Sequence, residues 1–516
     1  MALKKGIYRA LEDVVGPENI SDAPVILDSY AWRSGLVATP VKFVPRFEAI
    51  TLPKDTREVQ AIVKLCNRYK IQFKASSTGW GGYCDPTGPG VIKIDLRRMN
   101  RIIEINEKNM YAVVEPYVIF AQLQAELMKR GLNCNITGAG SNCSALPIAA
   151  HQGIGHLSQS GSYGERNLLA VEWVAPDGEI VRLGSLGSLG EWFCGDGPGP
   201  SLRGVIRGNT VPLGGLGVYT KAAAKVYHWP GPSTFPIEGV SPHYHPSQIP
   251  PGFMIRYFSF KSADEMTEAL RKVGESEIGF ILMGFNAAMV AGNKATNNNE
   301  DLELLKQFTE EVQGPGFLLI IAGNSPNDFE YKKRALEQII GETNGKSLAA
   351  VEDPQNAGGY IWRFIRVTGS IRETCRATGC FGGEVGGTDV FGLMRAYIAR
   401  SSEIKQDYID KGLLHADGTH PFVQSVEHGH QGHGELLVRY FPNNPESAKA
   451  GKELFMAANQ IAVEGHFGVP AHVWSDVIHD MYGPYACNYT KWLRKIKKTF
   501  DPNQASEASN HITAKE

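Results

Sequence analysis

The sequence contains no long hydrophobic run. Its longest apolar pieces are short, such as Gly316 to Ile321, whereas a helix that crosses a bilayer needs about 18 to 20 apolar residues. Met1 to Lys5 lead into an amphipathic helical pattern instead of an apolar signal core. We therefore expect a cytoplasmic protein without a membrane span.

The sequence also lacks a Cys-x-x-Cys motif. Its 8 cysteines are scattered along the chain, a pattern typical of buried thiols in a reducing compartment. This spacing argues against an iron–sulfur cluster or a zinc ribbon.

An excess of charge of either sign is absent as well. Lys and Arg number 52 and Asp and Glu number 54, so the formal net charge is −2. This balance predicts no general attraction to nucleic acid or to an anionic membrane. An anionic ligand must therefore be bound by a local arrangement of donors.

The chain of 516 residues is too long for one ordinary core, so two or three domains are expected. Short strands and helices up to about residue 235 predict a first α+β unit. The segment from about Pro230 to Pro251 is rich in Pro, Gly and His and indicates a linker. Beyond it, strands and helices alternate regularly, which predicts a second α+β domain.

Hydrophobic periodicity and turn residues predict individual elements. The predicted helices are 5–16, one capped by Thr56, 120–130, one from Ser262, 301–312, one from Ser325, 445–464 and 485–500. The predicted strands are 91–95, 102–105, 111–115, 169–175, 179–183, 254–260, 278–283, 317–322 and 436–441.

The stretch Ser76 to Tyr83 combines the hydroxyl side chains of Ser76, Ser77 and Thr78 with three glycines. Glycines let backbone N–H groups approach an anion closely, so the stretch could hold a pyrophosphate without any lysine. A tight glycine turn between two strands explains the octapeptide equally well. A second glycine-rich stretch, Gly138 to Glu165, favours the ligand site. Neither stretch shows the strand–Gly-x-Gly-x-x-Gly–helix arrangement of a nicotinamide-binding unit.

Several short motifs occur in order along the chain: Ser77-Thr78-Gly79, Ile94 to Ile102, Tyr111 to Pro116, Gly153-Ile154-Gly155, Tyr163-Gly164-Glu165, Gly217 to Thr220 and Asp501-Pro502-Asn503. This combination resembles the vanillyl-alcohol oxidase / p-cresol methylhydroxylase superfamily of flavoproteins. The resemblance covers about 40–235 and 480–503.

The resemblance implies an α+β fold that binds FAD between two α+β subdomains. It implies a PCMH-type FAD-binding domain at 1–235, an α+β substrate (cap) domain at 236–480, and a C-terminal helix, 481–516, that returns to the FAD domain. It also implies transfer of a hydride from a substrate carbon to flavin N5, assisted by a base that removes an oxygen-bound proton.

The resemblance further assigns cofactor contacts. The pyrophosphate would be held by Ser77, Thr78, Gly79, Trp80, Gly81 and Gly82. The region towards the flavin ring would involve Gly153, Gly155, Gly161, Tyr163 and Gly164. The adenosine end would lie against the backbone of Gly217 and Val218.

Glu165 matches an acidic position that lies close to the flavin in the phenol oxidases of this superfamily. A buried carboxylate there could tune flavin N5 or act as the base. A structural carboxylate that only makes hydrogen bonds is an equally good interpretation.

The segment Glu427 to Glu435 contains three histidines and two carboxylates. It resembles the Gly-His-x-Gly-Asp-Gly-Asn-x-His motif of D-lactate and glycolate dehydrogenases, although the usual second ligand is missing. His430, His433 and Glu435 could bind a divalent metal that polarises a 2-hydroxy acid. We favour the alternative, in which His433 and Glu435 form a metal-free acid–base pair that faces the flavin.

The other branch of the superfamily oxidises 4-alkylphenols with a Tyr-Arg pair ahead of a C-terminal Tyr-Gly-Pro. Counting back from Tyr482-Gly483-Pro484 reaches Gly468-Val469, so that pair is absent. The region Cys380 to Glu384 lacks the Tyr or His used for covalent flavin attachment in some members, which predicts noncovalent FAD. Glu384 is an additional candidate acid.

A substrate carboxylate would need an arginine, because the guanidinium fork pairs two oxygens at once. Arg363, Arg366 and Arg372 lie on one segment, and Arg366 is the first candidate. At least two of the three are expected to be ordinary surface or ion-pair arginines.

These observations predict an FAD-dependent dehydrogenase or oxidase that acts on a small alcohol or 2-hydroxy acid. Its electrons would pass to a separate acceptor, such as a partner protein. The alternatives are a benzylic or 4-alkylphenol dehydrogenase similar to p-cresol methylhydroxylase, and a flavin electron-transfer subunit of a larger complex. A homo-oligomer is expected, since dimers are common among members of the superfamily.

Overall fold

The computed structural model describes most of the chain. The described residues are 3–31, 44–79, 84–151, 154–184, 192, 202–208, 214–239, 245–246, 248–312, 314–366, 376, 378, 384–417, 422–467, 469–470, 475–508 and 511–515. Within them, no helix is both long enough and apolar enough to cross a membrane.

Helices and strands alternate irregularly along the chain, as expected for an α+β protein. The helices are α1 (Lys5–Val15), α2 (Pro24–Ala31), α3 (Thr56–Tyr69), α4 (Phe120–Met128), α5 (Ala145–Ala150), α6 (Ser158–Gly161), α7 (Arg203–Ile206), α8 (Ala263–Glu275), α9 (Ala287–Lys294), α10 (Asn298–Glu311), α11 (Pro326–Glu342), α12 (Ala349–Glu352), α13 (Pro354–Arg366), α14 (Phe391–Asp410), α15 (Pro445–Glu464), α16 (Ser475–Tyr482) and α17 (Tyr489–Phe500). The strands are β1 (Ile20–Ser21), β2 (Ala49–Thr51), β3 (Gln72–Ser76), β4 (Val91–Asp95), β5 (Ile102–Asn106), β6 (Tyr111–Val114), β7 (Leu132–Asn133), β8 (Leu168–Val174), β9 (Ile180–Leu183), β10 (Val218–Lys225), β11 (Tyr227–His228), β12 (Ile237–Glu238), β13 (His245–Pro246), β14 (Phe253–Ser259), β15 (Ile281–Gly284), β16 (Gly316–Ala322), β17 (Lys346–Ser347), β18 (Glu384–Asp389), β19 (Phe422–Val426), β20 (Gln431–Leu437) and β21 (Val469–Pro470).

The first sheet has the order β1-β2-β4-β3, with β2, β4 and β3 parallel. Helix α3 connects β2 to β3, and its apolar stripe, which includes Val59, Ile62 and Val63, is fully buried against this sheet. The helix is capped by Asp55, whose carboxylate accepts the amides of residues 57 and 58. The predicted cap was Thr56, one residue later, but the Thr56 hydroxyl hydrogen-bonds to Glu172 instead.

The second sheet is antiparallel and has the order β5-β6-β10-β8-β9. Helices α4 and α5 pack on it and form one core with its inner side chains. The predicted hairpin after the second glycine-rich stretch is confirmed as β8 and β9.

Two further antiparallel sheets follow in the chain, with the orders β15-β16-β14-β17 and β19-β20-β18-β21. Helix α15 begins and ends at the predicted residues, Pro445 and Glu464. The bounds of the strand predicted at 436–441 are wrong, since β20 begins at Gln431 and ends at Leu437, so that only residues 436 and 437 lie in it. The closing helix α17 begins at Tyr489 instead of residue 485. No prediction was made for α13 or α14.

The chain end returns to the first sheet. Ser506 pairs with Phe73 in a parallel bridge next to β3. The domain boundaries at 235/236 and 480/481 stay a prediction.

Candidate active site

A cleft lies between the first and second sheets and encloses about 1010 Å³ of empty space, part of it open to solvent. One wall is the end of β3 with the turn that follows it, and the other is α5 with the start of β10. The described residues that line the cleft are Ala75, Ser76, Ser77, Thr78, Gly79, Cys84, Leu96, Pro116, Cys143, Ser144, Leu146, Pro147, Ala150, His151, Gly214, Leu216, Gly217, Val218 and Tyr219.

The cleft suits an extended anionic ligand whose negative charge is bound by uncharged hydrogen-bond donors. None of its described lining residues is Lys, Arg, Asp or Glu, so an anion there would depend on backbone N–H groups and hydroxyls. Of the residues predicted to hold a pyrophosphate, Ser77, Thr78 and Gly79 line the cleft, whereas Trp80, Gly81 and Gly82 lie outside the described residues.

Gly217 shapes the opposite wall. Its φ is +82°, and a Cβ at this position would come within 2.3 Å of the Val174 carbonyl oxygen. The indole N–H of Trp173 donates to the neighbouring Leu216 carbonyl at 2.8 Å. Only glycine fits this close approach, so the turn is held tightly against β8, and Gly214, Leu216 and Gly217 line the cleft from this position.

The second glycine-rich stretch packs against the fourth sheet. Gln424 of β19 donates through Nε2 to the Gly155 carbonyl at 2.9 Å. The amide of Glu427 donates to the Ser158 carbonyl at 3.0 Å. Helix α5, which lines the cleft, also packs on the turn Gly164–Asn167 of this stretch. Helix α5 therefore contacts both the cleft and the turn that follows Tyr163.

A buried hydrogen-bond chain crosses this interface. The hydroxyl of Tyr163 hydrogen-bonds to Nδ1 of His433, and Nε2 of His433 lies 2.6 Å from Oε1 of Glu435. The exposed fractions of the three residues are 3%, 0% and 6%. With the proton on Nε2 facing the carboxylate, Nδ1 accepts the Tyr163 hydroxyl.

Strand pairing explains why His433 and Glu435 face the same side. They are two residues apart on β20 and lie opposite Gln424 and Phe422 of β19. Burial raises the pKa of Tyr163 well above its ordinary value, and Glu165 and Glu435 add to this. The phenol therefore stays protonated at neutral pH.

Glu165 lies close enough to this chain for its charge to interact with Tyr163 and His433. Its Oε2 is buried and has no hydrogen-bond partner in the described part of the chain. Burial raises the pKa of Glu165, and its backbone amide and the charges of Arg166 and Arg207 only partly offset this. The carboxyl is thus held towards its neutral form.

The three possible metal ligands considered from the sequence are not assembled in the structure. His433 and Glu435 are together, but His430 lies in the exposed turn between β19 and β20. Across the described ranges, no group of three or more His, Cys, Asp or Glu side chains could hold a metal ion.

The other described glycines predicted to face the flavin ring neither line the cleft nor belong to the hydrogen-bond chain. Gly155 packs against Asn135, and Gly161 packs against Tyr227, so close that a Cβ at either glycine would collide. Gly164 is buried and begins the turn Gly164–Asn167 that follows Tyr163. Gly153 and Arg372 lie outside the described residues.

Glu384 begins β18, where its backbone pairs with Leu437, and its side chain is not described. Arg366 ends α13, with its guanidinium 3.9 Å from the ring centroid of Trp362. The preceding residues Phe364 and Ile365 belong to the same core as Tyr163. Arg363 contacts Asn293 instead.

Two polar residues were not predicted for the site. Gln424 is fully buried opposite His433, and its Oε1 has no hydrogen-bond partner among the described residues. His151 lines the cleft. The sequence signal for Gln424 was weak, because its position opposite His433 depends on the pairing of β19 with β20.

Comparison with known proteins supports FAD as the cofactor. A family described as FAD binding domain matches residues 47–184. The chain is 31% identical over 163 residues to the 4-cresol dehydrogenase [hydroxylating] flavoprotein subunit of Pseudomonas putida, covering 29% of this chain and 30% of that protein. It is 27% identical over 237 residues to the glycolate oxidase subunit GlcD of Bacillus subtilis, covering 45% and 46%.

These matches span less than half the length of either relative. The structure of p-cresol methylhydroxylase with substrate bound is similar over 99% of this chain and 98% of that chain, with a TM-score of 0.79 at 17% identity. At that identity the likeness shows the fold.

Proposed function

Because this chain belongs to the vanillyl-alcohol oxidase / p-cresol methylhydroxylase superfamily of FAD-dependent oxidoreductases, we propose that it transfers a hydride from a small alcohol or 2-hydroxy acid to FAD. The observation that carries this proposal is the buried chain Tyr163–His433–Glu435 beside Glu165. Removal of a hydride from a carbinol carbon requires that the hydroxyl proton also leaves. A hydrogen-bonded phenol, imidazole and carboxylate can take up such a proton.

The residues have distinct roles in this proposal. The carboxylate of Glu435 orients the His433 ring, so that Nδ1 accepts a proton from Tyr163. The Tyr163 oxygen in turn accepts the proton of the substrate hydroxyl, so the phenol is never left ionised in its buried position. Glu165, whose pKa is raised by burial, hydrogen-bonds in its neutral form to the substrate or to the cofactor, and its ionised form is the alternative proton acceptor.

The cleft fits the cofactor. Ser77, Thr78 and Gly79 on one wall and Gly217 and Val218 on the other would hold its phosphates and adenosine end. The stretch that carries Gly155, Gly161, Tyr163 and Gly164 would face its ring. FAD bound there supplies the two-electron acceptor. We propose noncovalent binding.

Arg366 is the proposed partner of a substrate carboxylate, because it ends a helix that shares a core with Tyr163. Glu384, on the strand that pairs with β20, remains an additional candidate acid. A cytoplasmic location, a homo-oligomer and a separate electron-accepting partner protein remain predictions.

The test is an anaerobic titration of the purified protein, reconstituted with FAD. Simple alcohols, 2-hydroxy acids and 4-alkylphenols are added separately while the visible flavin absorbance is recorded. Bleaching by an alcohol or a hydroxy acid is the expected result. Bleaching by alkylphenols alone would favour the likeness to the 4-cresol dehydrogenase subunit. A bound flavin that no small substrate reduces would support an electron-transfer subunit instead.

The same titration with Arg366→Ala separates the two preferred substrates. If the substrate carries a carboxylate, its apparent affinity should fall at least tenfold, because a charge-assisted pair is lost. Arg363→Ala is the matched control, since Arg363 is on the same helix and contacts Asn293. If both variants changed the apparent substrate affinity equally, Arg366 would not be the partner of the substrate carboxylate.

A further inference from the structure

The C-terminal segment 501–507 contacts both walls of the cleft. On one side, the Phe73 amide donates to the Ala505 carbonyl at 2.8 Å, and the Glu507 amide donates to the Phe73 carbonyl at 3.0 Å. Phe73 belongs to β3, which leads directly into Ser77 and the rest of that wall.

On the other side, Ser506 bridges the turn 214–217. Its hydroxyl oxygen accepts the Gly217 amide at 2.9 Å and donates to the Gly214 carbonyl at 3.0 Å. Ser506 is fully buried. One hydroxyl therefore fixes both ends of the turn that forms this wall.

Buried ion pairs and hydrogen bonds fix the segment 501–507 in place. The buried ammonium of Lys497 donates to the carbonyls of Gly215 and Ser506 and to the Asp501 carboxylate, at 2.6, 2.7 and 2.5 Å. The Asp501 carboxylate also accepts the amides of Ala505 and Ser506. A second buried ion pair joins Lys74 of β3 to Glu507 at 3.0 Å.

None of the residues 501–507 lines the cleft. We infer that this segment sets the spacing between the two walls that receive the cofactor, and that Ser506 is a positioning residue for FAD. The inference rests on FAD as the ligand of the cleft, as proposed above. The walls come from different sheets, and residues 505–507 join them: their backbone bonds to β3, and the Ser506 hydroxyl bonds to the turn 214–217.

The test compares Ser506→Ala with Ser447→Ala. Ser447 is a matched control, because its hydroxyl is also fully buried and bridges two backbone groups, accepting the Phe441 amide at 2.8 Å and donating to the Leu413 carbonyl at 2.6 Å. It lies in α15 and does not line the cleft. Both variants should lower the melting temperature of the apoprotein to a similar extent.

Only Ser506→Ala should weaken FAD binding. Loss of one bridging hydroxyl is expected to raise the Kd for FAD by about 5- to 10-fold, measured by titrating the apoprotein with FAD. The rise in melting temperature that FAD produces should shrink for this variant and stay at the wild-type size for Ser447→Ala. An unchanged Kd for Ser506→Ala would overturn the inference.

A second measurement uses the unmodified protein, in case Ser506→Ala does not fold. FAD should slow hydrogen exchange of the amides of Ala505, Ser506 and Glu507, although these residues do not line the cleft. Exchange that FAD leaves unchanged would also overturn the inference. If the wild-type protein itself fails to bind FAD, the cofactor assignment fails, which is a separate outcome.

Discussion

The hydroxyl of Tyr163 hydrogen-bonds to Nδ1 of His433 and joins the second glycine-rich stretch to strand β20. The two residues are 270 positions apart in the chain. Their rings are also in edge contact, with centroids 5.5 Å apart. His433 also contacts Glu435 through its other ring nitrogen. The hydrogen bond between Tyr163 and His433 is therefore the central link of the proposed proton path.

Tyr163→Phe removes the hydroxyl and keeps the ring. The proton path would lose its first acceptor, so we expect the rate of flavin reduction by substrate to fall on the order of 10²-fold or more. FAD affinity should stay within about twofold of wild type. Anaerobic stopped-flow absorbance measures the rate.

Tyr257→Phe is the control for this variant. Tyr257 is fully buried, and its hydroxyl donates to the Phe285 carbonyl at 3.0 Å. The Tyr257→Phe variant should be less stable than wild type, but its rate of flavin reduction should be unchanged. Equal rate losses for the two variants would show that a buried hydroxyl matters only for packing and would contradict the proton path.

Glu165 should make the protein less stable as pH rises. Its pKa is raised in the folded state by burial, so the folded state binds more protons than the unfolded state at pH values between the two pKa values. The stability contributed by this group is fully present below the unfolded pKa and is lost as pH rises through the folded pKa.

Glu165→Gln removes this titration. The melting temperature of the variant relative to wild type should therefore increase as pH rises above the ordinary range of a glutamate. Glu310→Gln on the exposed face of α10 is the control and should follow wild type. A constant difference between Glu165→Gln and wild type at all pH values would show that Glu165 ionises normally.

Several elements were predictable because local sequence and tertiary structure agree. The stripe of α3 is one example, since it buries a regular apolar face, and the helix from Pro445 to Glu464 is another, since Asn444 and Pro445 mark its start. Ser77–Gly79 could be singled out as a candidate anion site because its glycine and hydroxyl chemistry is local, and its role in holding a phosphate stays a prediction.

Other elements depend on distant partners. The first half of β20 was missed because Gly432 and Gly434 are poor strand formers by propensity. The structure requires them: a Cβ at Gly432 would come within 2.8 Å of Met394 on α14. Helix α14 was missed partly because its buried face includes Lys405, which is paired with Asp417 and breaks the apolar pattern.

Glycine substitutions should distinguish the two walls of the cleft. Gly79 has φ +74°, and a Cβ there would meet no atom of the described residues within 4 Å. Gly79→Ala should therefore cost only the backbone strain, about 1 to 2 kcal/mol of unfolding free energy.

Gly217→Ala should cost more and should weaken FAD binding as well, because its Cβ would collide with the Val174 carbonyl and the Trp173 indole. Thermal unfolding of both apoproteins and titration with FAD measure these effects. If Gly217→Ala is no more destabilised than Gly79→Ala, the turn is not held as closely against β8 as the structure shows.

Removal of metals should leave the chemistry intact. Both ring nitrogens of His433 are within hydrogen-bond distance of protein groups, and His430 lies in an exposed turn, so a metal would have to displace Tyr163 or Glu435. Dialysis against EDTA should therefore leave the rate of flavin reduction unchanged, relative to a sample dialysed without chelator. Metal analysis of both samples checks that the chelator worked. If EDTA abolished reduction and a divalent cation restored it, His433 would have to turn towards a metal, and the proton path through Tyr163 would be wrong.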